Sequence, residues 1–318
     1  MRGGILEFCN TFPDEDACLD WVFKSKFGGN SACPGCGRQG KWTKIKSTKK
    51  YMHHCRLHIS VMKDTPFYRT NIPLTVVFYC IFLFCNSNTG IRGSFLRKQL
   101  ALSPKAAHRL ANSIRLHMAA STDTGMIGGA GKLVEADEVL LRHVRRPGCA
   151  QLEATIVQGF ACDGEVRMGI VADRKRATLH ANIVANVRPG STIVTDDWAA
   201  YRGVEQLGFK HITVNHSKGY FNEQGYSTCE IDSCWGALRR AFRGYQQVAP
   251  HNLWLYLAEF QARYNLRRSK GGVFENIIAS WPTLSPAWIK KLEGRFDWRR
   301  ADLETSLPIR TAAEALAE

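Results

Sequence analysis

The sequence predicts an α/β fold: a mixed sheet of three antiparallel strands followed by parallel ones, flanked by helices and preceded by a small knuckle module and a helical region. Three observations carry that expectation. From Lys132 onward the apolar pattern changes from a helical to a strand period. Two β-rich runs, Ala154–Cys162 and Val166–Ala172, meet at Asp163-Gly164, a strong hairpin signal. After them helix and strand alternate, which a mixed sheet satisfies.

The bulk composition narrows the class. At 318 residues the chain has room for more than one domain. Lys and Arg outnumber Asp and Glu by 43 to 28, a net charge of +15. The bases cluster at Arg142–Arg146, Arg239–Arg243, Arg263–Lys270 and Lys290–Arg300, so a polyanionic partner, nucleic acid, is expected. The cysteines number 11, which is odd, and Met1–Phe12 lacks the basic-then-apolar order of a secretory signal. A reduced, cytosolic protein is expected rather than a disulfide scaffold. Leu74–Cys85, the most apolar run, is too short for a bilayer, which needs about 20 residues, so no membrane partner is expected.

Residues 14–27 place acids early and bases late, with Cys18, Leu19, Val22 and Phe23 on one face. That is an amphipathic helix with dipole-matched ends, and Gly28-Gly29 stops it. Cys33-Pro-Gly-Cys36-Gly is the turn of a metal knuckle. Two thiolates separated by two residues can grip one zinc ion, and the glycines let backbone amides turn toward the sulfurs. Lys41–Ser47 and Lys50–His54 are expected as the strands of a hairpin leading to the second ligand pair. Cys55-x-x-His58 has knuckle spacing, so His58 is the expected fourth ligand beside Cys33, Cys36 and Cys55, with His53 as the alternative.

Residues 72–118 read as helices. Pro73 lies near the first turn of an apolar helix, Asn86–Gly90 breaks it, and Ser94–Leu100 and Lys105–Met118 form two helices joined by a short turn. Ser103 is placed to cap the second, with Pro104 at its first position. That helix carries Lys105, His108, Arg109, Arg115 and His117 at positions expected to be exposed, the arrangement of a helix-turn-helix recognition helix. A plain three-helix connector is the alternative. Ala119–Gly131, rich in small and polar residues, reads as a linker.

In the second half, Leu133–Leu141 reads as a strand interrupted by Asp137, Thr178–Asn186 as a helix and Ser191–Asp196 as a short buried strand. Trp198–Leu207 reads as helical and His211–Asn215 as a fifth strand. A polar, Gly-rich loop (Ser217–Thr228) leads to a helix over Thr228–Arg240. Ile231, Trp235 and Leu238 form its apolar stripe, while Asp232 and Arg239 lie two turns apart on a neighbouring face.

Asp137 and Asp196 stand where apolar strands run out, at one edge of the sheet. Carboxylates gathered there repel each other and make sense when a hard divalent cation, Mg²⁺ or Mn²⁺, neutralises them. Two such ions about 4 Å apart can serve in-line phosphoryl transfer. Taken singly, Glu138 and Asp197 read as solvated strand-end charges and Asp232 as an exposed helix residue. Strand acid, strand acid and helix acid in this element order read together as a metal-ion nuclease site.

Leu133-Val-Glu-Ala-Asp-Glu138, Ile193-Val-Thr-Asp-Asp-Trp-Ala-Ala-Tyr201, Val214-Asn-His216, Ile231-Asp-Ser-Cys-Trp235 with Leu238-Arg-Arg240, and Tyr256–Asn265 resemble the bacterial insertion-sequence transposases of the ISXO-like group. Their catalytic domain is ribonuclease H-like, with a DDE triad. Cys33–Cys36, Ser60-Val61, Thr65-Pro-Phe67, Ile72-Pro-Leu74 and Gly90-Ile91 are similar to that family's zinc ribbon and helical region. The resemblance spans roughly residues 15–265. It implies that Asp137 and Asp196 are the first two catalytic acids and that Asp232 occupies the third place, where Glu is usual and one methylene longer. It implies that Arg239, beside Arg240, faces DNA phosphates. Met52 stands where the family's ribbon has its third cysteine. Glu230 is an alternative third acid, but two residues along a helix turn it about 200° away.

The expected organisation is an N-terminal helix (1–30), a zinc-ribbon-like module (31–65), a helix-turn-helix DNA-binding region (66–120), a linker (121–131), a ribonuclease H-like DDE domain (132–265) and a basic C-terminal helical region (266–318). The last, with Trp281, Trp288 and Trp298, would support DNA or another protomer, or pack as a small subdomain. The resemblance implies a transposase that binds terminal inverted repeats on double-stranded DNA, with Lys105, Arg109 and Arg115 among its contacts. It would cut the ends with metal-activated water and join the freed 3′-hydroxyls to target DNA. The family's two-ended substrate implies a homo-oligomer, and a bacterial cytoplasmic location, at the nucleoid when active, is expected. A decayed copy that binds DNA without cutting, and a structure-specific nuclease of the same fold, are the alternatives.

Overall fold

The computed structural model describes residues 4–28, 32–45, 48–122, 125–144, 153–215, 217, 219–245, 248, 252–285 and 309–310. They divide into two units: residues 1–87, 91–122 and 266–318 in the first, and 88–90 and 123–265 in the second. Among the described residues no helix is long and apolar enough to cross a membrane.

The first unit opens with helices α1 (Ile5–Thr11) and α2 (Glu15–Phe27). The Asp14 side chain caps α2, accepting from the Ala17 N–H at 2.8 Å, and Gly28 ends it at a positive φ of 61°. Cys18, Leu19, Val22 and Phe23 are buried, as their spacing requires. Strands β1 (Trp42–Ile45), β2 (Lys50–His53) and β3 (His58–Ser60) form an antiparallel sheet, one strand more than the expected hairpin. Helices α3 (Leu74–Asn86), α4 (Gly93–Gln99) and α5 (Pro104–Ala120) follow, with Ser103 accepting from the Ala106 N–H at 3.2 Å.

Two residues of α5 stand apart from the expectation of an exposed basic face. Lys105, His108 and Arg109 are exposed, but every residue from Ser113 to Ala120 is buried. Arg115 is 1% exposed; it donates to the Ile91 carbonyl at 2.7 Å and lies over the Phe84 ring at 5.3 Å. It braces the core instead of meeting a ligand. His117 is packed between Phe67 and Trp281 at 5.5 and 4.5 Å, and burial pushes its imidazole down to about 3. The second half of α5 runs through the middle of the unit, so it has no solvent face on which to display cations.

Part of the C-terminal region packs in this unit as well. Phe274 of α9 (Gly272–Ala279) meets Phe82 at 5.2 Å, Trp281 stacks on Phe78 at 5.4 Å, and the Trp21 indole donates to the Ile278 carbonyl at 2.8 Å. Strand β11 (Thr283–Leu284) pairs with β12 (Ile309–Arg310). Trp288, Trp298 and the Lys290–Arg300 cluster lie outside the described residues, as do Arg145, Arg146 and the side chains of Arg142 and His143.

The second unit holds the main sheet. Its strands are β5 (Leu133–Val144), β6 (Glu153–Cys162), β7 (Glu165–Val171), β9 (Thr192–Asp196) and β10 (Lys210–Val214), in the order β10-β9-β5-β6-β7. β5, β6 and β7 are antiparallel neighbours, while β9 and β10 run parallel to β5. This is the ribonuclease H-like mixed sheet. Asp163 and Gly164 turn β6 into β7 with φ of 53° and 87°, the two positive values that a two-residue hairpin of this kind needs. A small parallel pair, β4 (Ile127–Gly128) with β8 (Val187–Arg188), takes in part of the expected linker. The expected helix over Trp198–Leu207 is two 3₁₀ turns, Ala199–Tyr201 and Val204–Leu207, separated by Gly203 at a φ of 90°.

Strand alternation assigns each face a partner. Val134, Ala136, Phe160 and Ile193 pack with Leu179 and Ile183 of α6 (Arg176–Asn186). Val139, Leu141 and Val157 pack with Ile231, Trp235, Leu238 and Phe242 of α7 (Cys229–Tyr245), and with Leu257 and Phe260 of α8 (Leu253–Leu266). Gly159 faces α7, and a Cβ there would lie 2.4 Å from the Trp235 ring. Gly159→Ala is expected to destabilise the protein by about 1–3 kcal/mol, read as a lower urea midpoint at unchanged slope. A variant as stable as wild type would show that the ring has room to move.

Candidate active site and metal centre

Asp137 and Asp196 stand at the seam between β5 and β9: Asp196 ends β9 as expected, whereas β5 runs on past Asp137 to Val144. The parallel register of the two strands pairs Leu133 with Thr192, Val134 with Ile193 and Glu135 with Val194. Carried two residues further, it sets Asp137 level with Asp196, the last residue of β9. Paired residues of parallel strands point to the same face, and here that face is the one α7 covers. The Trp235 indole N–H donates to Asp137 Oδ2 at 2.8 Å, and the Trp198 N–H donates to Asp196 Oδ1 at 3.1 Å.

Burial pushes the Asp137 carboxyl up to about 6. The charges of Glu138 and Asp196 push the same way, against the Glu138 backbone N–H and the Trp235 indole. Glu135 stands two residues earlier on the same face, and nothing in its local sequence spacing marks it as part of the site. Its Oε2 accepts the Ile231 N–H at 2.9 Å, which places a carboxylate over the start of α7. Burial raises Glu135 to about 7, with the charges of Glu230 and Asp232 adding to the rise, against the N–H groups of Ile231 and Glu230.

The helix acids are held differently. Asp232 is exposed on the first turn of α7 and accepts from the Thr228 hydroxyl at 3.1 Å. Its charge acts on Glu135. Glu230 accepts the Gly164 N–H at 2.6 Å and so is tied to the β6–β7 turn. Arg239 and Arg240 are exposed further along α7. Among the described residues Asp137, Asp196 and Asp232 do not form a group with all ligand atoms within 4.8 Å. The fit to a hard divalent cation rests on the level Asp137–Asp196 pair and on the Asp137 carboxyl, whose raised pKa shows that burial and neighbouring charge disfavour its ionised form.

Glu138 departs from its expected role as a solvated strand-end charge. Its side chain is 2% exposed and accepts from Arg174 at 2.5 Å and from the Tyr201 hydroxyl at 2.5 Å. The Arg174 guanidinium in turn lies 4.6 Å from the Trp198 ring. The signal was present in the sequence: the residue after Asp137 on an alternating strand must face the other, apolar side, where a carboxylate needs buried partners. Asp197 is exposed.

A second cluster lies in the first unit. Ligand atoms of Cys33, Cys36, His53 and Cys55 all lie within 4.8 Å of one another. Cys33 Sγ is 3.6 Å from Cys55 Sγ, His53 Nδ1 is 3.2 Å from Cys55 Sγ, and Cys36 Sγ is 3.7 Å from His53 Nδ1. A tetrahedral zinc with bonds of about 2.3 Å to sulfur and 2.0 Å to nitrogen has donor–donor edges of about 3.5–3.8 Å, so three thiols and this imidazole can hold zinc. Burial works to raise the Cys33 thiol pKa, but the N–H groups of Cys36 and Gly35 lower it and the balance is a lowered value. The expected fourth ligand, His58, lies outside the group. It pairs across the sheet with Met52, so it projects to the face opposite His53, and it is exposed.

Residues 134–265 match the family described as the ISXO2-like transposase domain, so this part of the chain is a transposase domain. A transposase-like protein of Haemophilus influenzae is 27% identical over 96 residues, which are 30% of this chain and 77% of that protein. Two solved structures overlap more loosely. The catalytic core domain of BIV integrase has 15% identity and a TM-score of 0.29, covering 44% of this chain and 86% of its own. A simian T-cell lymphotropic virus intasome in complex with the PP2A regulatory subunit B56 gamma has 13% identity and a TM-score of 0.31, covering 61% and 76%. The fold rests on the strand order above, not on these overlaps.

Two outcomes follow. Elemental analysis of protein purified without a metal-affinity step is expected to find one zinc per chain. His53→Ala should lose it and His58→Ala should keep it; the reverse pattern would assign the fourth ligand to His58. Asp137 has a raised folded pKa, so in buffer free of divalent cations its contribution to stability is present below about pH 4 and lost as pH rises through about 6. Measured by urea unfolding, wild type should lose stability relative to Asp137→Asn between these values, and added Mg²⁺ should restore it at neutral pH. A pH-independent difference would show that the carboxyl is not desolvated as described.

Proposed function

We propose, taking residues 134–265 as an insertion-sequence transposase domain, that the protein binds double-stranded DNA and cuts and rejoins it by metal-dependent phosphoryl transfer. The observation that carries this reading is the level placement of Asp137 and Asp196 on adjoining parallel strands, under the helix that carries Asp232 and two exposed arginines. Asp137 and Asp196 would hold Mg²⁺ or Mn²⁺, with Asp232 as the third acid. Divalent ions bound there supply activation of the attacking oxygen and neutralisation of charge on the leaving one.

The chain's own groups do the rest. The Trp235 indole fixes the orientation of Asp137, the Trp198 N–H that of Asp196, and the Thr228 hydroxyl that of Asp232. Arg239 and Arg240 would meet DNA phosphates beside the acids. The zinc-ribbon-like module and the α4–α5 pair, through Lys105 and Arg109, would recognise the terminal repeats. Two element ends per reaction call for a homo-oligomer, acting on the bacterial chromosome in the cytoplasm. The steps would be hydrolysis at the ends, leaving 3′-hydroxyls, and transesterification of those hydroxyls onto target DNA.

One observation favours a second reading, a transposase-derived protein that binds DNA without cutting it. Asp232 is held by Thr228 and acts on Glu135, and a Glu would reach further. Strand transfer by purified protein on element ends decides between the two. It is expected to need Mg²⁺ or Mn²⁺ and to fall to background in Asp196→Ala. Asp232→Glu should equal or exceed wild type, and Asp232→Asn should lose about 100-fold or more. Wild type no better than Asp196→Ala would leave the binding reading; an unaffected Asp232→Asn would remove Asp232 from the site.

A further inference from the structure

The first unit contains a cleft of about 280 Å³, and two of the residues proposed above to meet DNA, Lys105 and Arg109, form part of its wall. Arg69, Lys105 and Arg109 line it, and among the described residues no Asp or Glu does. All three cations are exposed, and none enters an ion pair among the described residues. Lys105 and Arg109 stand one turn apart on α5, so both project toward the same side. Arg69 faces them from the segment before α3, at a φ of 57° that is uncommon for a residue with a side chain, and lies over the Tyr68 ring at 5.3 Å. Three uncompensated cations around one concave space focus a positive potential there.

A polar group at the wall points the same way. Ser113 of α5 also lines the cleft, at its wall. An anionic oxygen fits, since a hydroxyl donates to it and two guanidinium groups grip it.

We propose that this cleft is a phosphate subsite, in which Arg69 and Arg109 hold phosphate oxygens, Lys105 adds charge and Ser113 donates from the wall. The phosphate belongs either to a DNA backbone or to a free phosphorylated small molecule. Its assignment to DNA rests on the transposase reading; its anion chemistry does not.

The test uses the full chain and reads binding, not catalysis. A fluorescein-labelled random duplex is titrated over a KCl series with wild type, Arg69→Gln, Arg109→Gln and, as a charge-matched control on an exposed residue outside the cleft, Lys24→Gln. Inorganic phosphate and a mononucleotide are titrated calorimetrically in parallel. Each cleft variant is expected to weaken duplex binding about 10-fold and to lower the slope of log affinity against log salt by about one, with Lys24→Gln near wild type. That result without saturable binding of either small anion assigns the cleft to the DNA backbone. Saturable binding of phosphate or mononucleotide that both cleft variants lose assigns it to a free phosphorylated ligand. The proposal is overturned if neither ligand responds, or if Lys24→Gln weakens the duplex as much as the cleft variants do. Loss of strand transfer with cleft binding intact would sink the transposase reading and leave the cleft, so the two can fail separately.

Discussion

The indole of Trp235 over Gly159 is the contact on which the second unit's chemistry depends. Gly159 stands directly across from Asp137 in the antiparallel register, and its missing side chain leaves the space the ring occupies. From there the ring nitrogen reaches Asp137, while the ring's carbon surface joins Ile231 and Leu238 in the apolar stripe of α7. One side chain therefore locks the helix with Asp232 to the strand with Asp137. Glu135 adds a second lock two residues away, accepting from the first N–H groups of the same helix. A carboxylate at that end also matches the helix dipole, which offsets part of the desolvation its burial imposes.

The two faces of β5 explain why adjacent acids have opposite fates. Glu138 points to the α6 side and meets Arg174 and Tyr201, so its charge is neutralised inside the protein. Asp137 points to the α7 side and receives one indole N–H while two like charges stand nearby. Its carboxyl rises to about 6 because the fold supplies burial without a cation. A carboxylate left in that state is poised to take up a proton or a metal ion, whereas Glu138 has nothing left to gain. The raised pKa and the missing counter-charge set Asp137 apart from Glu138; Glu135 shares both but is tied to the N–H groups at the start of α7.

What could be read from the sequence was what period and turn chemistry decide locally. The hairpin at Asp163-Gly164, the cap at Ser103, the capped α2 and the alternation after Lys132 each follow from a few neighbouring residues, and each appears within a residue or two of its expected place. Tertiary placement was not legible in the same way. The basic spacing of α5 looked like a recognition face throughout, yet Arg115 and His117 lie where the helix enters the middle of its unit. Knuckle spacing favoured His58, but a third strand that the hairpin reading did not contain turns His58 away and leaves His53 beside the sulfurs. Glu138 was misread because its salvation, Arg174, lies 36 residues away. In each case the deciding partner came from a distant part of the chain.

The same reasoning bears on Asp232 as the proposed third acid. An Asp carboxylate sits one C–C bond, about 1.5 Å, nearer the helix than a Glu carboxylate would. A helix free to slide could absorb that difference. α7 is not free, because Trp235 is keyed into Gly159 and Asp137, and Glu135 holds the helix start. Moving the helix toward the strand acids would drive the ring into the β6 backbone and break the Glu135 hydrogen bonds together. Any shortfall at position 232 must therefore be met by side-chain rotation away from Thr228, not by backbone movement. That makes the Thr228–Asp232 hydrogen bond the softest link in the site, and the place where the apo arrangement and a metal-loaded one would differ.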